Sequence, residues 1–157
     1  MKILQVHEGG RGVVLDAPTP VPGPDQVLLR VLGVATCPQW DLHLRHNEPM
    51  FVGHRFEYPY SPGQPGHEAT GVIEAVGAHV TEFSLGDRVS AWRDAGHQRH
   101  GCYAQFVVLE AANVIKVRAD LVVEFGNNFR HSLADDVTFF EANHVAEGLI
   151  GEKIAAI

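Results

Sequence analysis

The chain has 157 residues, 45% of them hydrophobic and 20% charged, with a formal net charge of −7. That length suits one domain around one core, and the composition is that of an ordinary globular protein. The acidic balance, with Lys and Arg scattered rather than striped, argues against a nucleic-acid partner. The longest apolar runs, such as Val27–Val34, are too short and too interrupted to span a bilayer, so no membrane partner is expected. Met1-Lys2-Ile3 leads straight into a strand-like pattern rather than a signal peptide, which implies a cytoplasmic protein. Two cysteines, Cys37 and Cys102, are too few for a disulfide framework.

Gly and Pro punctuate the first hundred residues densely, which favours short strands and turns. Lys2–Val6 and Gly12–Leu15 read as a hairpin through Glu8-Gly9-Gly10, followed by a proline-stiffened loop, Ala17–Gln26. Val27–Val34 reads as a strand, and Thr36–Asn47 as a turn leading into a short helix. Glu48–Gln64 is a long aromatic loop, and Phe51, Phe56, Tyr58 and Tyr60 within it, with Trp92, suggest either an apolar pocket wall or the packing that any barrel needs. Val72–Val76, Arg88–Trp92, Cys102–Leu109 and Val114–Val117 complete the strands, with Leu85-Gly86-Asp87 turning into the second of them. Many short strands joined by Gly/Pro turns predict a mainly β barrel or sandwich.

The pattern changes after Arg130. Ser132 is a candidate N-cap, Leu133, Val137, Phe140, Val145 and Leu149 recur at helical spacing, and Gly151 suits the C-cap. Glu141 falls near the centre of that apolar stripe. A carboxylate there loses water and needs a cation, an arginine or a proton. Glu141 is therefore either an arginine partner or a metal ligand.

Donors for a metal exist upstream. Cys37 lies in a turn just after a strand, and His67 lies in the turn of "SPGQPGHEATGVIEAVG", Ser61–Gly77. Cys37, His67 and Glu141, with a fourth position open to water, would make a catalytic zinc site rather than a closed structural one. Glu68, next to His67, is a ligand in one state or a neighbour of the ligands in another. A rival cluster, His97, His100 and Cys102 in "HQRHGC", reads otherwise as an exposed loop.

"GHEATGVIEAVGAHV" (Gly66–Val80) resembles the zinc alcohol dehydrogenase signature of the medium-chain dehydrogenase/reductase family, with Gly71, Gly77 and Val80 at the family's spacing. "FSLGDRV", "GCYAQFVV" and "VLLRVLGVATC" with "DLH" resemble the neighbouring segments of that family. The resemblance covers residues 1–118 and implies a GroES-like, partly open barrel over 1–131. It implies a linking helix, 132–150, and in "GEKIAAI" (151–157) the first strand of a nucleotide-binding Rossmann domain. It also implies a zinc-dependent oxidoreductase that passes hydride between a small alcohol or carbonyl substrate and NAD(P). The metal ligands would be Cys37, His67 and Glu141, with Glu68 beside them and His43 as a proton relay.

Three features depart from the family. Cys37 stands four residues before Asp41 in "CPQWD", where the family more often has three. With two cysteines in all, a four-cysteine structural zinc lobe is excluded. The chain stops at Ile157, before any Gly-x-Gly-x-x-Gly loop, so it reads as the N-terminal half of such an enzyme, truncated or encoded separately, and hydride transfer is expected to need a nucleotide-binding domain that a partner chain could supply. The alternative is a non-enzymatic zinc-binding or interaction module, whose apolar Leu133–Leu149 helix and Ile154–Ile157 stub would favour self-association.

Overall fold

The computed structural model describes residues 1–49, 51–92 and 99–117. The helix expected from Ser132, with Glu141, the segments 119–131 and 151–157, and His97 all lie outside the described residues.

Strands form where apolar residues alternate. β1 (Lys2–His7) and β2 (Arg11–Asp16) pair antiparallel from Lys2↔Asp16 to His7↔Arg11. The turn between them is closed by Gly9 and Gly10, both at positive φ. β3 (Gln26–Ala35), β4 (Glu68–Val76), β5 (Arg88–Trp92), β6 (Phe106–Glu110) and β7 (Val114–Lys116) make a second, five-stranded sheet. Its order is β6-β3-β4-β5-β7, every pair antiparallel. Neither sheet closes on itself among the described residues, in keeping with a partly open, GroES-like, mainly β architecture. One helix, α1 (Pro38–His46), interrupts the strands, with Pro in its first turn and Asn47 ending it in the left-handed conformation.

Two boundaries differ from the sequence pattern. β4 begins at Glu68, not Val72, because residues 68–71 pair with β3 on one side and β5 on the other. The glycine density that reads as a turn marks a close approach instead: a Cβ on Gly71 would lie 2.7 Å from Leu29 Cδ1. At the other boundary, the expected strand Cys102–Leu109 starts only at Phe106. The Cys102 and Tyr103 amides are drawn off to Gly66 O and Gly63 O, at 2.8 and 3.0 Å.

The main core is built from alternate residues of the five-stranded sheet. Val27, Leu29 and Val31 of β3 meet Ile73, Val89, Val107 and Leu109. A smaller cluster, Val6, Leu44 and Tyr60 with Phe56 and Tyr58 against it, packs α1 onto β1. Residues of the aromatic loop therefore serve as core rather than as a free pocket wall, while Phe51 and Trp92 remain exposed. The loop is also tied to β1, since the Tyr60 amide donates to Val6 O at 2.7 Å and the Gly63 amide to Leu4 O at 2.6 Å.

Tyr60 is 4% exposed, and its hydroxyl is buried without a hydrogen-bond partner among the described residues. Burial, with Tyr58 second, pushes its pKa up to about 12 from 10.0. The folded state thus resists ionisation of this phenol, so its contribution to stability is complete below pH 10 and is lost as pH rises toward about 12. Tyr60→Phe removes an unsatisfied hydroxyl, and a gain of roughly 1 kcal/mol at neutral pH is expected. Urea titrations from pH 8 to 12 should show a shallower alkaline loss in the variant. Equal slopes would place the alkaline sensitivity elsewhere.

Candidate metal and catalytic site

Sheet register brings the sequence candidates to one place. Ala35, the last residue of β3, pairs with Glu68, the first of β4. Cys37 follows Ala35 by two residues and His67 precedes Glu68 by one, so both stand at the same end of one ladder. Glu68 also pairs with Trp92, so β5 leaves the sheet at that end too.

Cys37 is the N-cap of α1 and is half-buried. Asp41 sits one helical turn later. Its amide donates to Cys37 O at 2.9 Å, and its carboxylate Oδ2 accepts the Cys37 amide at 3.2 Å. The residue added in "CPQWD" is thus absorbed as a full turn of helix. It lets Asp41 reach back to cap the turn that carries the thiol. Trp40, within that turn, meets the His54 ring edge-on at 5.9 Å.

His67 is 7% exposed, and its Nδ1 lies 2.8 Å from Pro65 O. A carbonyl only accepts, so Nδ1 carries the hydrogen and a neutral His67 has its lone pair on Nε2. That Nε2 lies 3.7 Å from Glu68 Oε1. Glu68 itself is half exposed.

Asp41 and Tyr103 complete the cluster. The Tyr103 hydroxyl donates to Asp41 Oδ2 at 3.1 Å. Asp41 Oδ1 is buried and has no hydrogen-bond partner among the described residues. Burial raises the Asp41 pKa, opposed by the bonds from Tyr103 and Cys37 and by the nearby His67. Burial, and then the Asp41 charge, drive the Tyr103 phenol upward as well.

The donor types suit a zinc-like cation: a thiol, an imidazole with its lone pair on Nε2, and carboxylates, one with a buried oxygen that has no partner among the described residues. Among the described residues, however, no three His, Cys, Asp or Glu side chains gather into one metal-binding group. Cys37, His67 and Glu68 thus form a partial set, and Glu141 lies outside the described residues. His43 is in the last turn of α1, its Nδ1 3.2 Å from Glu48 O. His100 is exposed, whereas Cys102 is 0% exposed and belongs to the main core, so these two do not share a site. Tyr103 is the residue that local sequence reading misses, and Asp41 figures there only as a spacing mark.

A mainly β domain of open antiparallel sheets, with a Cys-capped helix and a His-bearing turn at one ladder end, is a GroES-like architecture. The family model of the alcohol dehydrogenase GroES-like domain matches residues 23–119, more than half of the chain. The chain belongs to that family and resembles the N-terminal domain of medium-chain dehydrogenases/reductases. An L-threonine 3-dehydrogenase from Deinococcus deserti is 28% identical over 193 aligned residues, which take in 100% of this chain and 53% of the relative. The chain therefore spans about half the length of the curated relatives it matches. A quinone oxidoreductase structure from Pseudomonas syringae pv. Tomato DC3000 superposes with TM-score 0.58 at 29% identity, over 75% of this chain and 34% of that one. An NAD-dependent alcohol dehydrogenase structure superposes with TM-score 0.61 at 26% identity, over 74% of this chain and 39% of that one. No helix among the described residues is long and apolar enough to cross a membrane.

Proposed function

We propose that this chain is the substrate- and metal-binding part of a zinc-dependent oxidoreductase that interconverts a small alcohol and its carbonyl product. The observation that carries the reading is His67: Pro65 O holds its Nδ1, leaving the Nε2 lone pair for a cation at the ladder end that Cys37 shares. Cys37 and His67 would hold zinc, with Glu68 or Glu141 as the carboxylate ligand. When bound, zinc supplies Lewis acidity that favours the deprotonated form of a substrate hydroxyl. His43 would take up the released proton and pass it outward from the half-buried end of α1. Hydride would pass to NAD(P) held by a nucleotide-binding domain, as the resemblance of "GEKIAAI" (151–157) to a first Rossmann strand implies, with 1–131 as the catalytic domain and 132–150 linking the two. The names of the relatives, L-threonine 3-dehydrogenases and an NAD-dependent alcohol dehydrogenase, support a small hydroxylated substrate. Two free thiols are in keeping with a reducing, cytoplasmic compartment.

Zinc stoichiometry of the purified chain tests this. About one zinc per chain is expected for a catalytic-type site. Cys37→Ala and His67→Ala should each weaken binding on the order of a hundredfold, a quarter or so of a four-ligand binding energy. Glu68→Gln beside Glu141→Gln should identify the carboxylate ligand, since only one of them should match that loss. Zinc binding indifferent to Cys37 and His67, or no zinc at all, would overturn the proposal.

A further inference from the structure

The two elements that carry Cys37 and His67 are far apart in sequence and meet at the end of a ladder where backbone pairing has already stopped. Something other than the ladder must fix their separation. Tyr103 touches both. Its amide donates to Gly63 O at 3.0 Å and its carbonyl accepts from the Leu4 amide at 2.9 Å, so its backbone is fixed to the Gly63–His67 turn and to β1. Its ring lies on Gly66, the residue before His67: a Cβ there would stand 2.9 Å from Tyr103 Cγ and 2.7 Å from Tyr103 N. Its hydroxyl then reaches across to Asp41 Oδ2 at 3.1 Å, the same oxygen that accepts the Cys37 amide.

We infer that Tyr103 is a positioning residue: its phenol ties the Cys37 cap of α1, through Asp41, to the turn that carries His67. The inference rests on the reading of Cys37 and His67 as metal ligands, but the clamp itself is made of protein groups alone. The ring accounts for the glycine at position 66, since any side chain there would collide with Tyr103. The hydroxyl adds what packing alone does not, a directed bond that sets where the first turn of α1 sits. Held ligands bind a cation more tightly than ligands that must first be ordered, and loss of such a support typically costs about 10–100-fold in affinity.

Tyr103→Phe keeps the ring on Gly66 and deletes only the hydroxyl. Two readouts follow on the full chain. The first is titration with Co2+ alone, followed by the absorption bands that report thiolate coordination. The second is the rate at which Cys37 is alkylated without metal, readable because Cys102, the only other cysteine, is fully buried. The variant is expected to keep the circular dichroism of the parent, bind Co2+ about tenfold more weakly, and alkylate at Cys37 severalfold faster. Asp41→Ala, the other end of the bond, should change the Cys37 rate in the same direction, and the double variant should go little beyond the larger single effect. If the parent chain binds no Co2+, the metal reading fails and the alkylation rates alone decide the clamp. Unchanged alkylation, or effects that add in the double variant, would overturn the inference even if the parent binds Co2+ well.

Discussion

Gly63→Ala is expected to destabilise the chain by roughly 3 kcal/mol or more, and to disorder the His67 turn before the rest of the sheet. Gly63 has φ +79, a conformation that costs a side-chain-bearing residue about 1–2 kcal/mol. A second cost is steric. The added Cβ would lie 2.7 Å from Gly101 C and 2.8 Å from Gly101 N, and backbone offers no flexible end that can swing away. Separating the two strands of chain would strain the bonds from the Gly101 amide to Pro62 O at 2.9 Å and from the Tyr103 amide to Gly63 O at 3.0 Å. Each such bond contributes about 1 kcal/mol net. Gly9 provides the control, since its φ is +75 but nothing lies within 4 Å of where its Cβ would be. Gly9→Ala should therefore lose only the conformational part, about 1–2 kcal/mol. Urea unfolding of the two variants separates the contributions. If Gly63→Ala proves no worse than Gly9→Ala, the close approach of the two glycines is not what holds the turn.

The same residues show what could be read from the sequence and what could not. "GHE" between glycines announces a turn that presents an imidazole, and the chain does place His67 there. Cys37 before a proline announces a helix start, and it is the N-cap of α1. Local signals of this kind span a few residues, and physics that acts over a few residues leaves them in the sequence. The Asp41 carboxylate on the Cys37 amide is one residue longer than the usual N-terminal capping pattern, so it passes as a mere irregularity of spacing. Tyr103 is 62 residues from Asp41, and no periodicity links the two. The start of β4 was hidden for a related reason. Glu68, Ala69 and Gly71 are weak strand formers, and only pairing on both sides, with Gly71 against Leu29, makes that stretch a central strand. Glu141 stood out in the sequence as a carboxylate on an apolar stripe. Its role remains part of the proposal, since it lies outside the described residues.

Asp41→Asn is expected to move metal binding and metal-free stability in opposite directions. Burial is the leading influence on Asp41 and raises its pKa, against the opposing bonds from Tyr103 and Cys37, so burial works against the charge of this carboxylate. One oxygen is satisfied by the Cys37 amide and the Tyr103 hydroxyl, and the other is buried without a partner among the described residues. Asparagine keeps an oxygen for the two donors and removes the charge, so the metal-free variant should be at least as stable as the parent at pH 7. A bound cation reverses the preference. A negative charge next to the Cys37 cap and His67 stabilises a dication, and a neutral amide does not. Metal affinity should fall by about 10–100-fold. Thermal unfolding in chelator and in excess zinc reads both quantities on one protein: the variant should melt no lower than the parent in chelator, and should gain less from zinc. If Asp41→Asn instead lost stability in chelator and kept the full gain from zinc, the buried carboxylate would be a structural cap alone. The cation would then have to draw its charge balance from Glu68 or Glu141.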